Sequence, residues 1–547
     1  MELKKNDEVS LEIIDLTNTG EGIGKIDGFP LFVKDCVPGD RIRAKVMKVK
    51  KNYGFARLME VEEPSADRVK PECPVARPCG GCQLQAMSYE AELRYKTKKV
   101  HDCLLRIGGI PEKILKNAEE PIISMEKPWR YRNKAQYPIG LDKDGNVIAG
   151  FYAGHTHSII SSDDCLLTPP EFQVILNTVL EFIRDFKIKV YNEESGKGLV
   201  RHLLIKKGFE SGELMVCLVL TSEKLPHKEE FVERLKGIPG MKTVCLNINP
   251  DRTNVILGKK IEVLYGDGYI VDMMDGLKFR ISPLSFYQVN QIQAVKLYKK
   301  ALEYADLNGN EEVWDVCCGI GTISLFLSRK AGKVHGLEIV PEAIEDAKAN
   351  AELNGIRNVD FVAAAAEDYM PSHKEIRADV VVVDPPRAGL DPSVLETIVG
   401  MSPEKVVYVS CDPATLARDL KILLAAGYKL KKYAACDQFS RTGHVETCVL
   451  LSHQQIDKYK TVDYTPDGSY MKNVNRHATY KEINEYVEEK YGFKLHSAFI
   501  AQVKRECGIE MGENYNLSKS DDYEPREVTP EKRAAIIDAL KHFNMIE

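Results

Sequence analysis

The sequence predicts a multidomain α/β protein, and three stretches carry that reading. Short alternating strands separated by glycine-rich turns fill residues 1–61, the pattern of a small OB-like barrel. Residues 281–453 alternate strands with helices around a strand–Gly-x-Gly–helix unit, the pattern of a doubly wound, mostly parallel sheet. Residues 465–547 end the chain in amphipathic helices. A β-rich central region, 62–280, lies between the barrel and the parallel sheet. A length of 547 residues is more than one hydrophobic core supports. The 44% apolar and 29% charged content is that of ordinary packed domains. A net charge of −6 gives no global attraction for nucleic acid, so any bound polyanion must meet local basic surface. No apolar run is long enough to span a bilayer, and no leader-type segment opens the chain, so a reducing cytoplasm is expected and no membrane partner. In that compartment the 14 cysteines are expected as metal ligands, nucleophiles or core residues rather than disulfides.

In the barrel, Val9, Leu11 and Ile13 alternate, Gly20–Gly24 is a turn, Phe29–Val33 a strand, and Pro38-Gly39-Asp40 a second turn. Between residues 41 and 57 stand seven Lys or Arg and no acid, with Tyr53 and Phe55 interleaved. Cations for phosphates and flat rings for bases make a single-stranded nucleic-acid surface. A solvated edge strand, which also favours lysine, fits the run equally well.

Cys73, Cys79 and Cys82 follow among prolines and glycines that let the backbone wrap round a centre. Cys165 is the expected fourth ligand. Four thiolates suit Zn²⁺ or an iron–sulfur cluster. The five-residue gap is wide for a zinc knuckle, so a closed, structural four-cysteine cluster is the favoured reading, with zinc as the alternative. A charged helix is expected over 88–107, and another over 171–185. Two mixed basic stretches, Trp129–Lys134 and Gly198–His202, are candidate RNA contacts or plain hairpin surface.

The parallel-sheet region opens with a helix predicted over 286–305. Strand Val313–Val316 then runs into Cys317-Cys318-Gly319-Ile320-Gly321, and strand Val334–Glu338 ends in an acid suited to ribose hydroxyls. The third glycine of a dinucleotide fingerprint is absent. A cofactor with no pyrophosphate, S-adenosylmethionine, needs only two. Strand Val380–Asp384 ends in Asp384-Pro385-Pro386-Arg387, a rigid rim typical of nucleic-acid methyltransferases. Strand Lys405–Val409 ends at Cys411 on a turn before a helix from Ala414, the place where open sheets put their chemistry and where a helix N-terminus favours a thiolate. Alone, Cys411 is better explained as a small core residue; in this setting it reads as a nucleophile. Residues 453–470 look like a linker, and helices over 479–491, 496–507 and from Pro530 suggest a small helical domain, with helix-turn-helix as one option.

Taken together, these motifs make residues 1–452 resemble bacterial RNA uracil-5-methyltransferases, above all the iron–sulfur enzymes that modify 23S ribosomal RNA. The matching pieces run in the family's order: a TRAM-like barrel, the four cysteines, Ser285-Phe286-Tyr287-Gln288-Val289-Asn290, the Asp315–Gly321 turn, Asp384-Pro385-Pro386-Arg387, Ser410–Thr415 and His444-Val445-Glu446. The resemblance implies that Cys411 adds to C6 of uracil and Glu446 is the general base. It implies that Gln288, Glu338 and Asp384 hold S-adenosylmethionine, with the backbone around Cys317 lying over it. It implies a [4Fe-4S] cluster on Cys73, Cys79, Cys82 and Cys165, a Rossmann-like methyltransferase domain, and a loop or single-stranded uridine of 23S RNA as substrate for a chain acting as a monomer. The transfer-RNA enzymes of the superfamily are expected to lack the barrel and the cysteines. An RNA-binding iron–sulfur redox protein is the alternative from another class. The sequence departs from the family at Ala363–Ala366, near the expected adenine, and at Phe439-Ser440-Arg441-Thr442, where Phe-Pro-His-Thr is commoner; the latter is expected to alter RNA contacts. The helical C-terminal region lies outside the resemblance.

Overall fold

A computed structural model describes residues 3–154, 156–373, 376–453, 480–507, 528–543 and 545–546. Strands Glu8–Leu16, Gly22–Ile26, Phe29–Val33, Arg41–Val49 and Gly54–Glu63 close into the expected barrel. Their inward positions (Leu11, Ile13, Leu31, Val33, Ile42, Ala44 and Val46) form its core. Gly24 is required where the first two strands cross: a Cβ there would lie 2.5 Å from the Leu11 side chain and 2.7 Å from the Glu12 carbonyl. Asp40, fully buried, ties the barrel to the segment after it. Its carboxylate accepts from the Val37 N–H (2.6 Å), the Ser65 N–H (2.9 Å) and both ends of the Arg68 guanidinium (2.9 and 2.6 Å).

The central region is a seven-stranded sheet. Its order is Lys260–Tyr265, Met241–Ile248, Leu214–Leu220, Val200–Lys207, Lys134–Leu141, Val147–Tyr152, Ile159–Ser161. Helices Pro170–Asp185 and Lys228–Lys236 cover one face. The second large sheet has eight strands in the order Val359–Ala363, Lys333–Glu338, Glu312–Val316, Val380–Val383, Lys405–Ser410, Glu446–His453, Tyr428–Cys436, Glu119–Ile123. The first five are parallel, and Glu446–His453 is antiparallel to both its neighbours. The expected division at residue 280 is therefore crossed. Glu119–Ile123 pairs with Tyr428–Cys436 as the edge strand of this sheet. Helix Tyr89–Arg106, seen as a charged helix in the sequence, packs on Pro413–Ala425.

The helix expected from Phe286 starts at Gln291, because Asn290 caps it by accepting from the Gln293 N–H. The stretch 285–290 is thereby left irregular beside the parallel sheet. The linker expected over 454–470 lies outside the described residues. The C-terminal unit contains helices Tyr480–Tyr491, Ser497–Glu506 and Pro530–His542 around Ile483, Val487, Ile500, Val503, Ile536 and Leu540. No helix among the described residues is long and apolar enough to cross a membrane.

Replacing Asp40 with alanine removes a buried carboxylate and leaves Arg68 unpaired. The expected loss is about 3–5 kcal/mol, read as earlier hydrogen exchange of the barrel amides with the parallel sheet unchanged. Equal protection of the barrel in the variant would show that Asp40 does not hold it.

Candidate active site

The site forms where strands Lys405–Ser410 and Glu446–His453 end. Their ladder finishes at the pair Ser410–Thr447, so Cys411 and Glu446 are the next residue on each strand. On its other side Glu446 pairs with Cys436. Cys411 leads into Asp412, whose carboxylate caps helix Pro413–Ala425 by accepting from the Ala414 N–H (2.8 Å) and the Thr415 N–H (3.2 Å). The expected thiolate-stabilising field is outweighed. Burial, then the carboxylates of Glu446 and Asp384, push the Cys411 thiol up to about 12, with Arg387 opposing them.

Glu446 is 5% exposed. Burial and then Asp384 raise its carboxyl to about 8, again against Arg387. Asp384 is raised to about 7 by burial and by Asp315, and Asp315 to about 7 by burial, although the Ser324 hydroxyl donates to it at 2.5 Å. The other oxygen of Asp315 is buried without a partner among the described residues. Each of these acids therefore holds its proton to a higher pH than a free carboxyl does.

The turn after strand Glu312–Val316 has three residues in the left-handed region: Cys317 (φ 70°), Gly319 (55°) and Gly321 (80°). Cys317 is strained there as a non-glycine residue. A Cβ on Gly321 would meet the Phe361 ring at 2.7 Å. Glu338 accepts from the Gly319 N–H (3.2 Å) and the Val340 N–H (3.1 Å), bending the turn over the strand ends. An open turn, an acid at the end of the next strand, and buried acids alongside fit an adenosyl cofactor. Gln288 lies on the irregular stretch before Asn290, where its Oε1 accepts from Gln438 (3.4 Å). Tyr298 belongs to no motif legible in the sequence. It is buried, its hydroxyl bonds to Thr322 and Gln288, and burial followed by Asp384 raises its hydroxyl further. Arg387 was visible only as part of a motif. It lies 3.5 Å from His444, which burial and then Arg387 push down to about 4, so the imidazole is neutral.

Cys73, Cys79, Cys82 and Cys165 line one cavity of about 300 Å³. Backbone amides are aimed at the sulfurs, Gly81 to Cys79 (3.4 Å) and Leu167 and Thr168 to Cys165, as suits thiolate ligands. Among the described residues no three His, Cys, Asp or Glu side chains are gathered closely enough to hold a single metal ion. Arg130, a candidate RNA contact, instead braces this centre. It grips Asp164 through both nitrogens (2.7 and 2.5 Å) and the Cys165 carbonyl at 3.0 Å. The expected surface at Gly198–His202 is corrected too. Arg201 and His202 are 6% and 7% exposed, and Arg201 donates to the carbonyls of Asn249 and Asp251, both at 2.8 Å. Burial likewise removes Arg441 from a direct RNA surface: its guanidinium lies over the rings of Trp129 (4.6 Å) and Tyr89 (5.5 Å). On the barrel, Tyr53 and Phe55 join Phe32 in a triad with centroids 5.4–5.7 Å apart.

Two family descriptions match the chain: TRAM domain at residues 2–59 and tRNA (uracil-5-)-methyltransferase at 271–454. An uncharacterized RNA methyltransferase of Halalkalibacterium halodurans is 50% identical over 452 residues, 82% of this chain and 98% of that protein. One of Clostridium tetani is 48% identical over 454 residues, 82% of this chain and 97% of that protein. Among solved structures, the Pyrococcus abyssi tRNA (uracil-54, C5)-methyltransferase in complex with S-adenosyl-L-homocysteine has a TM-score of 0.65 at 28% identity. It covers 81% of this chain and all of that one.

A raised carboxyl has a cost in stability with a defined sign. Between the ordinary glutamate value of 4.5 and about 8, folded Glu446 keeps a proton that the unfolded chain has shed, so its contribution to stability falls as pH rises through that window and is flat above it. Glu446→Gln removes the term. Its thermal midpoint is expected to exceed that of the unsubstituted protein by more at pH 8 than at pH 5. A gain independent of pH would mean that Glu446 titrates normally.

Proposed function

The chain belongs to the TRAM-containing, S-adenosylmethionine-dependent RNA uracil-5-methyltransferase family, and on that premise we propose that it methylates C5 of a uridine in 23S ribosomal RNA through a covalent adduct on Cys411. The observation that carries the covalent route is the placing of Cys411 and Glu446 as neighbours at the end of one antiparallel ladder. The Cys411 thiol gives its proton to solvent and adds to C6 as the thiolate, and the C5=C6 pair moves onto C5 and the C4 carbonyl. S-adenosylmethionine, when bound, supplies the methyl group as an electrophile. Gln288, Glu338, Asp384 and the backbone at Cys317 would hold it. After C5 is methylated, Glu446 takes the C5 proton, the pair left behind re-forms C5=C6, and the thiolate of Cys411 departs. Arg387 favours both the thiolate and the ionised base. Because Glu446 must be ionised for this step, decay of the methylated adduct quickens about tenfold per pH unit below about 8. A half-buried thiol recessed at the strand ends is reached by a uracil turned out of its stack, and the basic, ring-bearing face of the barrel suits a single-stranded flank.

Cys73, Cys79, Cys82 and Cys165 would hold a [4Fe-4S] cluster whose role is to tie together segments distant in sequence. Their four thiols on one cavity support this. Protein purified without air is expected to be brown and to contain iron, and Cys79→Ser to be colourless. A colourless, zinc-containing parent protein would overturn the cluster.

The second reading, a transfer-RNA substrate, is favoured by the likeness to the Pyrococcus abyssi structure. Mapping 5-methyluridine in 23S and transfer RNA from a strain lacking the gene separates the two. Loss of a ribosomal site, restored by the intact gene and not by Cys411→Ala, is the expected result. Loss confined to transfer RNA would select the second reading.

A further inference from the structure

Residues 437–443 carry the chain from strand Tyr428–Cys436 to Glu446, and their backbone is held from several sides. The Gln438 carbonyl accepts from Asn290 (3.0 Å), that of Ser440 from the Tyr131 hydroxyl (2.9 Å), and that of Arg441 from the Gln83 and Leu84 amides (2.9 and 3.1 Å). The Gly443 carbonyl accepts from Lys99 at 2.7 Å. At the centre of the loop is a fully buried ion cluster. Lys96 donates to Glu92 (2.7 Å), one helical turn away, to Asp437 (2.5 Å), and to the Phe439 carbonyl (3.0 Å), which uses all three of its protons. Glu92 also accepts from the Arg441 N–H at 2.8 Å, and its second oxygen lies 3.6 Å from the Arg441 guanidinium. Tyr89 donates to the other oxygen of Asp437 at 2.7 Å. Two cations therefore balance two carboxylates in a place closed to water.

The loop reaches both halves of the reaction. Gln438 donates to Gln288 (3.4 Å) and to the Asn290 carbonyl (3.1 Å) on the cofactor side. At its far end Glu446 is the last paired residue against Cys436. The end of a ladder is where pairing opens first, so the loop acts together with the strand in fixing where the Glu446 carboxylate stands. A buried charge cluster is a poor source of stability and a good source of unique placement.

We propose that Lys96, clamped between Glu92 and Asp437, is a positioning residue that sets Glu446 against the C5 proton and steadies Gln288 through residues 437–443. This rests on the reading of Cys411 as nucleophile and Glu446 as base. Proton removal is the step most sensitive to a displaced base, and a misplacement of about 1 Å costs on the order of 100-fold. Addition by the Cys411 thiolate, whose proton goes to solvent, and methylation at C5 precede the step assigned to Glu446, so adduct formation should survive.

The test compares Lys96→Met with the charge-balanced pair Lys96→Met/Asp437→Asn, which leaves Glu92 facing Arg441 and keeps the protein folded if the single variant does not. Each is mixed with a uridine-containing fragment of the substrate RNA and S-adenosylmethionine. Turnover and the denaturation-resistant protein–RNA adduct are followed together, with Glu446→Gln as reference. Turnover reduced about 100-fold with accumulation of methylated adduct, and a KM for S-adenosylmethionine raised severalfold, is the expected result. Turnover like that of the parent, or a loss of turnover with no adduct while Glu446→Gln does trap one, would overturn the role of Lys96. Failure of Glu446→Gln itself to trap an adduct would instead overturn the reading on which it rests.

Discussion

The antiparallel pairing of Lys405–Ser410 with Glu446–His453 is the constraint on which the site depends. A purely parallel sheet would put helices between all its strand ends. One reversed strand brings a second chain segment back to the same rim, so a thiol leaving one strand and a carboxylate entering the next stand side by side. Register matters as much as direction, because a slip of one residue would turn Glu446 to the other face. The buried loop 437–443 holds that register from outside the sheet.

The same burial that raises the Glu446 carboxyl to about 8 makes the site costly. Asp315, Asp384 and Glu446 all hold protons well above the ordinary carboxylate range, and Cys411 is harder to ionise for their company. Arg387 is the cation that opposes this for both Cys411 and Glu446. Cys411 and Glu446 are therefore both held towards their protonated forms at the strand ends.

What the sequence made legible was local. The strand–turn–helix units, the acid-Pro-Pro rim and Cys411 at a strand end each rest on neighbours in the chain, and the structure places them as read. Distant pairings were not legible. Glu119–Ile123 looks like part of the central region, yet completes the other sheet. Lys96 meets Asp437 across 341 residues, and a lysine on a charged helix gives no sign of being buried. Arg201 and His202 misled because charge suggested surface, while both are buried and the partners of Arg201 are backbone carbonyls that no side-chain pattern announces. Within Phe439-Ser440-Arg441-Thr442, the departure from the family pattern expected to alter RNA contacts, Arg441 joins the ion cluster beside Glu92.

The most direct measurement of the central claim is the mass of the species formed by Glu446→Gln with S-adenosylmethionine and a short uridine-containing RNA, followed by digestion to find the attached peptide. The account predicts one protein joined to one methylated RNA, with the link on Cys411. Full turnover without an adduct, or a link on another residue, would contradict it.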